Sequence, residues 1–133
     1  MFVDAGQEIT DAIAEAQQPK SLTLSECGEI FCLLDAVDYF WAIQWKWRWK
    51  WDKHKRKRYA FRNTKVRGLG VTLYLHKEVL KRSGKRKPTK EHKIGDHRDG
   101  DSLNNQRGNL RWATLSMNNA NRPFARGERG RFC

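Results

Sequence analysis

The chain has 133 residues, enough for one domain with a modest core and too few for two full ones. Its 27 Lys+Arg against 15 Asp+Glu give a formal charge of +12, which points to a polyanionic partner, nucleic acid before a membrane surface. No stretch approaches the ~20 apolar residues of a membrane helix, and the start lacks the basic region and apolar run of a secretory signal, so a soluble, cytoplasmic protein is expected.

Residues 1–20 form an acidic segment in which Ile9, Ile13 and Ala16 recur at helical spacing until Pro19 stops the pattern, which suits a short helix or a tail. Leu22 and Leu24 then alternate with polar neighbours, Glu26 to Glu29 reads as a turn, and Ile30 to Leu34 is an apolar run, together a small hairpin. Asp35 to Trp45 has helical spacing, with Val37, Phe40, Trp41, Gln44 and Trp45 on one face. From Trp45 to Trp51 four tryptophans alternate with Lys46, Arg48 and Lys50, which on a strand puts indoles on one face and cations on the other. Trp45 and Trp47 are expected in the core. Trp49 and Trp51 have the alternative of stacking on sugars or bases.

Asp52 to Arg58 reads as a charged hairpin loop and Tyr59 to Asn63 as the return strand, with a third strand through Val71, Leu73 and Leu75 after Gly68 and Gly70. A helix over 76–83 ends at Gly84. The charge follows this division: 1–45 carry one Lys against eight acids, net −7; 46–93 carry 19 bases against three acids, net +16; 94–133 carry seven against four, net +3. The middle segment is therefore the expected docking surface, through Lys46, Arg48, Lys50, Lys53, Lys55, Arg56, Lys57, Arg58 and Arg62, with His54 near the backbone of the partner. Cys27, Cys32 and Cys133 are too loosely spaced for a zinc site and read as free thiols.

Ile94 to Arg122 carries the chemistry. Asp96 and His97 close a short apolar approach, an Asp/Gly/Asn-rich loop turns the chain, and Leu110 and Trp112 alternate with Asn109 and Arg111 as a half-buried strand. Thr114 or Ser116 then caps a helix bearing Met117, Asn118, Asn121 and Arg122. This strand, loop, strand, helix plan gathers His97, Asn109 and Asn118. A carboxylate from Asp96 and an amide oxygen from Asn118 suit one hard divalent ion, Mg²⁺ or Mn²⁺, better than zinc. His97 is left to act on a water, with Asn109 expected to orient its ring. Asn105 and Asn121 are expected to stabilise the turn and helix or to meet phosphate, while Arg107, Arg111 and Arg122 flank the cup and suit phosphate. His76 has two readings, a phosphate contact or packing between sheet and cup. His92 stands too far from other ligands to hold a metal.

The segment resembles the ββα-metal motif of HNH endonucleases, in particular the small phage and intron-encoded kind, with Asp96-His97, Asp99-Gly100, Asn104-Asn105, Asn109-Leu110 and Asn118 in the motif's order. By position His97, Asn109 and Asn118 are its three letters and Asp96 the additional metal ligand. Leu75-His76-Lys77-Glu78 is similar to the segment that precedes the motif in that family. Tyr59-Ala60-Phe61-Arg62 is similar to an upstream strand, and Leu22 to Trp47, with Gly28, Asp35, Asp38, Tyr39 and Trp47, to the amino-terminal strand pair. Arg98 stands where an aliphatic residue is usual, Asn104 where Asp is common and Lys77 where Arg is common.

The resemblance implies an α+β fold, a small antiparallel β-sheet DNA-binding region followed by a ββα-metal motif. Its parts are an acidic segment 1–20, a basic β-rich region 21–93, the motif 94–122 and an Arg/Gly tail 123–133. It implies a metal-dependent endonuclease of nicking or homing type, with phage or bacterial associations, acting on double-stranded DNA as a monomer or weak dimer. A non-catalytic DNA-binding module or recruited subunit that keeps the fold is the second class. Asp96, His97 and Asn118 together favour the enzyme.

Overall fold

A computed structural model describes residues 5–121. Helix α1, Ala5–Gln17, ends just before Pro19 and leaves Ile9 and Ile13 mostly exposed. Strands β1, Lys20–Thr23, and β2, Phe31–Leu34, form an antiparallel hairpin in which Leu22 faces Cys32. Its turn uses Gly28 at φ +75°, a conformation that favours glycine.

Asp35 sits at the N-cap of α2, Ala36–Ala42, which is shorter than the helix expected to reach Trp45. Its buried side also differs from the expected one. Ala36, Asp38 and Ala42 point inward, whereas Val37 and Phe40 are 56% and 59% exposed. The carboxylate of Asp38 decides this, because Arg82 and Arg107 converge on it from other elements and a fully buried charge must be paired.

Three strands follow: β3, Arg48–Asp52; β4, Lys57–Val66; and β5, Leu69–Tyr74. They form the expected antiparallel sheet in the order β3-β4-β5. The first strand starts at Arg48, not Trp45. Trp47 lies just before it and is buried, its indole N–H donating to the Ala42 carbonyl at 2.9 Å. Trp45 is 37% exposed and so is not a core residue; it stands against Trp41 and under the Arg62 guanidinium. The β3–β4 turn is closed by Asp52, whose carboxylate accepts from the backbone N–H groups of His54 and Lys55 at 3.0 Å each.

Helix α3, Leu75–Ser83, ends at Gly84, which takes the left-handed conformation. Strands β6, Ile94–His97, and β7, Leu110–Ala113, pair antiparallel, and β7 is entered through a 3-10 turn at Arg107–Asn109. Thr114 caps α4, Leu115–Ala120, by accepting from the Met117 N–H at 3.2 Å. Among the described residues the fold is thus α+β, four α-helices with small antiparallel sheets. Leu22, Leu34, Trp47, Ala60, Leu75, Val79, Leu80 and Leu110 belong to one core, so segments 21–93 and 94–121 are packed on the same apolar interior. Among the described residues, no helix is long and apolar enough to cross a membrane.

Candidate functional site

Period-2 alternation separates the neighbours Asp96 and His97 onto opposite faces of the β6–β7 ribbon. On one face Asp96 stands directly across from Arg111, and the pair forms an ion pair, Nε to Oδ2 2.9 Å. Helix α4 covers this face. The Asn118 amide donates to Asp96 Oδ1 at 3.0 Å, and the Asn121 amide reaches both carboxylate oxygens at 3.4 Å. The carboxylate is 3% exposed and has donors on both oxygens.

The other face meets α3. A Cβ on Gly95 would lie 2.8 Å from His76 Cδ2 and 3.3 Å from Leu80, so only glycine lets the helix approach this closely. His76 and His97 pack ring to ring with centroids 5.0 Å apart, alongside Tyr59. Both imidazoles are buried. Burial holds His97 below the usual imidazole range, partly opposed by its bond to Asn105. His76 is pushed well below that range by burial first and by the neighbouring His97 second. Both rings are therefore neutral at neutral pH.

Asn105, not Asn109, holds the His97 ring. His97 Nε2 lies 2.7 Å from Asn105 Oδ1. An amide oxygen only accepts, so Nε2 carries the proton and Nδ1 keeps the basic lone pair. Asn105 is 1% exposed and is itself fixed by β2, its N–H donating to the Leu33 carbonyl at 2.9 Å, while Leu33 N–H donates to Leu103 at 2.8 Å. Its side chain also reaches the Cys32 thiol, which burial pushes up to about 12. Asn109 braces the loop instead. Its side chain accepts from the Asp99 N–H at 3.0 Å and donates to Asp99 Oδ1 and to the Asn104 carbonyl at 2.9 Å each. The expected role of Asn109 at His97 is thereby corrected, because its amide is used up by the loop beneath the ribbon.

The candidate cations divide by location. Arg107 is removed from the phosphate set: its Nε and one terminal nitrogen each lie 2.8 Å from the buried Asp38 carboxylate. Arg111 is held by Asp96. His76 is buried as a packing group, although it also lines a cleft together with Asn118. Arg48 and Lys50 share a sheet face with Tyr59, Phe61 and Tyr74, whereas Arg58 and Arg62 lie on the opposite face with Trp49 and Trp51. Lys57 is partly buried, which lowers its pKa, while Asp96, Asp99 and Asp101 oppose that shift. Lys53 and Arg56 occupy the exposed β3–β4 turn with His54, and Lys46 approaches Glu26 at 3.9 Å. His92 bonds Thr89 at 2.8 Å. Arg122 lies outside the described residues, as does Cys133.

Among the described residues, no group of three or more His, Cys, Asp or Glu side chains is arranged to hold a metal. The candidate donor set is one buried carboxylate with the amides of Asn118 and Asn121 on its oxygens. Hard oxygen donors of this kind fit Mg²⁺ or Mn²⁺ once an amide turns its oxygen toward the ion. No family model, curated protein or solved structure matches the chain.

Proposed function

We propose that the protein is a metal-dependent HNH-type endonuclease that hydrolyses a DNA phosphodiester. The observation that carries the assignment is the pairing of two features in one ββα unit: a neutral imidazole anchored through Nε2 by Asn105, and a buried carboxylate contacted by the amides of Asn118 in α4 and Asn121 at its C-terminal cap.

In this assignment His97 Nδ1 takes a proton from a water, the water oxygen attacks phosphorus, and the P–O3′ bond breaks with the 3′ oxygen leaving to be protonated by solvent. A neutral base with a fixed tautomer suits the first step, and general-base help is worth roughly 10²–10⁴-fold. Asp96 and Asn118 would hold a divalent ion, which when bound would supply charge neutralisation for the phosphate. Asn105 keeps Nδ1 as the basic nitrogen, and Gly95 lets His76 stack behind the ring.

A second class, a binding module without catalysis, is supported by two other observations. His97 is 3% exposed, and Arg111 already neutralises Asp96. Supercoiled plasmid separates the two. The nuclease converts it to open-circle or linear DNA with Mg²⁺ or Mn²⁺, not in EDTA, and His97→Ala binds in a gel shift without cutting. Binding by both proteins without metal-dependent cutting by either rejects the nuclease and selects the module.

A further inference from the structure

A cleft of about 310 Å³ opens between the sheet and the β6–α4 corner. Lys50 from β3, Lys55 from the β3–β4 turn, Lys77 from α3 and Lys93 just before β6 all line it. These four ammonium groups come from four separate elements, so their convergence is not a by-product of one charged run. Tyr59 and Tyr74 form the aromatic wall, edge to face at 6.3 Å. Lys50 and Lys77 stand over the Tyr74 ring at 4.9 and 5.6 Å, and Lys55 over Tyr59 at 5.9 Å. At its inner end the cleft reaches Gly95 and Asn118, beside the candidate metal ligands.

The charge there is only partly compensated, four ammonium groups against the single carboxylate of Asp52, which acts on Lys55. Among the described residues none of the four lysines is in an ion pair. The carboxylate in the lining, Asp52, spends an oxygen on two backbone N–H groups of its own turn. Like charges gathered at a concave surface repel one another, and a polyanion relieves that repulsion. Ring faces under the ammonium groups favour keeping the lysines in place when the cleft is empty.

We propose that this cleft is a flanking-phosphate subsite, seating the sugar-phosphate backbone of a DNA strand next to Asn118, with Lys77 and Lys93 as phosphate contacts additional to those of the β3–β4 hairpin. What the strand is there for rests on the nuclease assignment; that it binds there does not. The opposite sheet face, with Trp49, Trp51 and Arg58, then points away from the bound strand.

Binding is measured in EDTA, where cleavage plays no part. Fluorescence anisotropy of a labelled duplex is followed against KCl for wild type, Lys77→Gln, Lys93→Gln, the double variant and Lys20→Gln, which removes the same charge from the β1–β2 hairpin. Each lost phosphate contact lowers the slope of log K against log[salt] by about 0.9, so the double variant loses nearly two while Lys20→Gln keeps the wild-type slope. Amide shifts in a ¹⁵N spectrum on adding the duplex cluster at Lys77, Lys93 and Gly95, and unchanged spectra elsewhere show that the variants are folded. A double variant with the wild-type slope, or shifts confined to Trp49, Trp51 and Arg58, overturns the subsite. A wild type that binds with the expected slopes yet never cuts plasmid with Mg²⁺ or Mn²⁺ keeps the subsite and rejects the nuclease.

Discussion

Replacing Asn105 by Ala tests the central contact of the candidate site. The change strips the acceptor from His97 Nε2–H, and because both residues are buried no bulk water replaces it. A buried donor left unpaired costs about 1–3 kcal/mol, to which the small cavity beside Cys32 adds. The ring also loses its fixed tautomer: with no acceptor at Nε2, the proton is free to move to Nδ1, and part of the population then carries its basic lone pair on Nε2 instead of Nδ1. Orienting partners of this type are worth roughly 10–100-fold, so single-turnover plasmid cleavage falls by about that factor while duplex binding persists. The pH profile gives a sharper check. The bond to Asn105 raises the His97 pKa against burial, so its loss moves the acidic limb of the cleavage rate to lower pH. Asn109→Ala, which unbraces the loop at Asp99 and Asn104, costs stability and leaves the limb in place. Wild-type rate and limb in Asn105→Ala, with a shifted limb in Asn109→Ala, would return the ring-orienting role to Asn109.

Asp38→Ala leaves the Arg82 and Arg107 guanidiniums without their shared partner; since each keeps about a third of its exposure, the loss sits at the low end of the buried-pair range, roughly 3 kcal/mol, read as a lowered urea midpoint. Gly95→Ala drives a methyl group toward the His76 ring, costing about 1–3 kcal/mol and displacing the His76–His97 stack; an unchanged melt shows instead that α3 gives way freely. Arg111→Gln frees one Asp96 oxygen from a cation, so Mn²⁺ binds several-fold more tightly in the absence of DNA, measured from the free-ion EPR signal; equal affinities refute competition between Arg111 and the ion. For pH, His76 titrates well below the ordinary value near 6.5, so the unfolded chain binds its proton first on acidification. Stability is complete above about pH 6.5 and declines as pH falls toward the folded pKa, by at most ~1.4 kcal/mol per unit, and His76→Gln flattens that slope.

The elements were legible where one periodicity held across them. The β3–β4–β5 sheet follows from alternation and its turn residues, the α3 stop from Gly84, and the α4 start from the pair of capping candidates Thr114 and Ser116, of which Thr114 is the cap. The residues that failed did so through partners distant in sequence. Val37 and Phe40 have the spacing of a buried face, yet Asp38 turns that face outward because its two arginines lie 44 and 69 residues away. Trp45 belongs by alternation to the tryptophan strand, but the chain is still turning out of α2 there. Asn105 and Asn109 are indistinguishable in a loop rich in Asn and Asp. The bond from Asn105 N–H to Leu33 helps select which amide faces His97, and no local pattern encodes it.

That bond also explains why the ββα unit is not built alone. Two short strands and a six-residue helix bury little apolar surface, and the loop between the strands would be free to rearrange around His97. Three upstream elements restrain it. Strand β2 brackets the loop through Leu33, with a bond to Leu103 and another from Asn105. Helix α2 grips the entry to β7, Asp35 accepting from the Arg107 N–H and Asp38 from its guanidinium. Ser102 donates its hydroxyl proton to the Arg58 carbonyl of β4, tying the loop to the sheet. Each of these restraints acts within the span Asp101–Arg107, the segment that carries Asn105. The amino-terminal hairpin and α2 therefore serve as a buttress that fixes one asparagine, and through it the proton on one imidazole, at a place where the local sequence leaves the choice open.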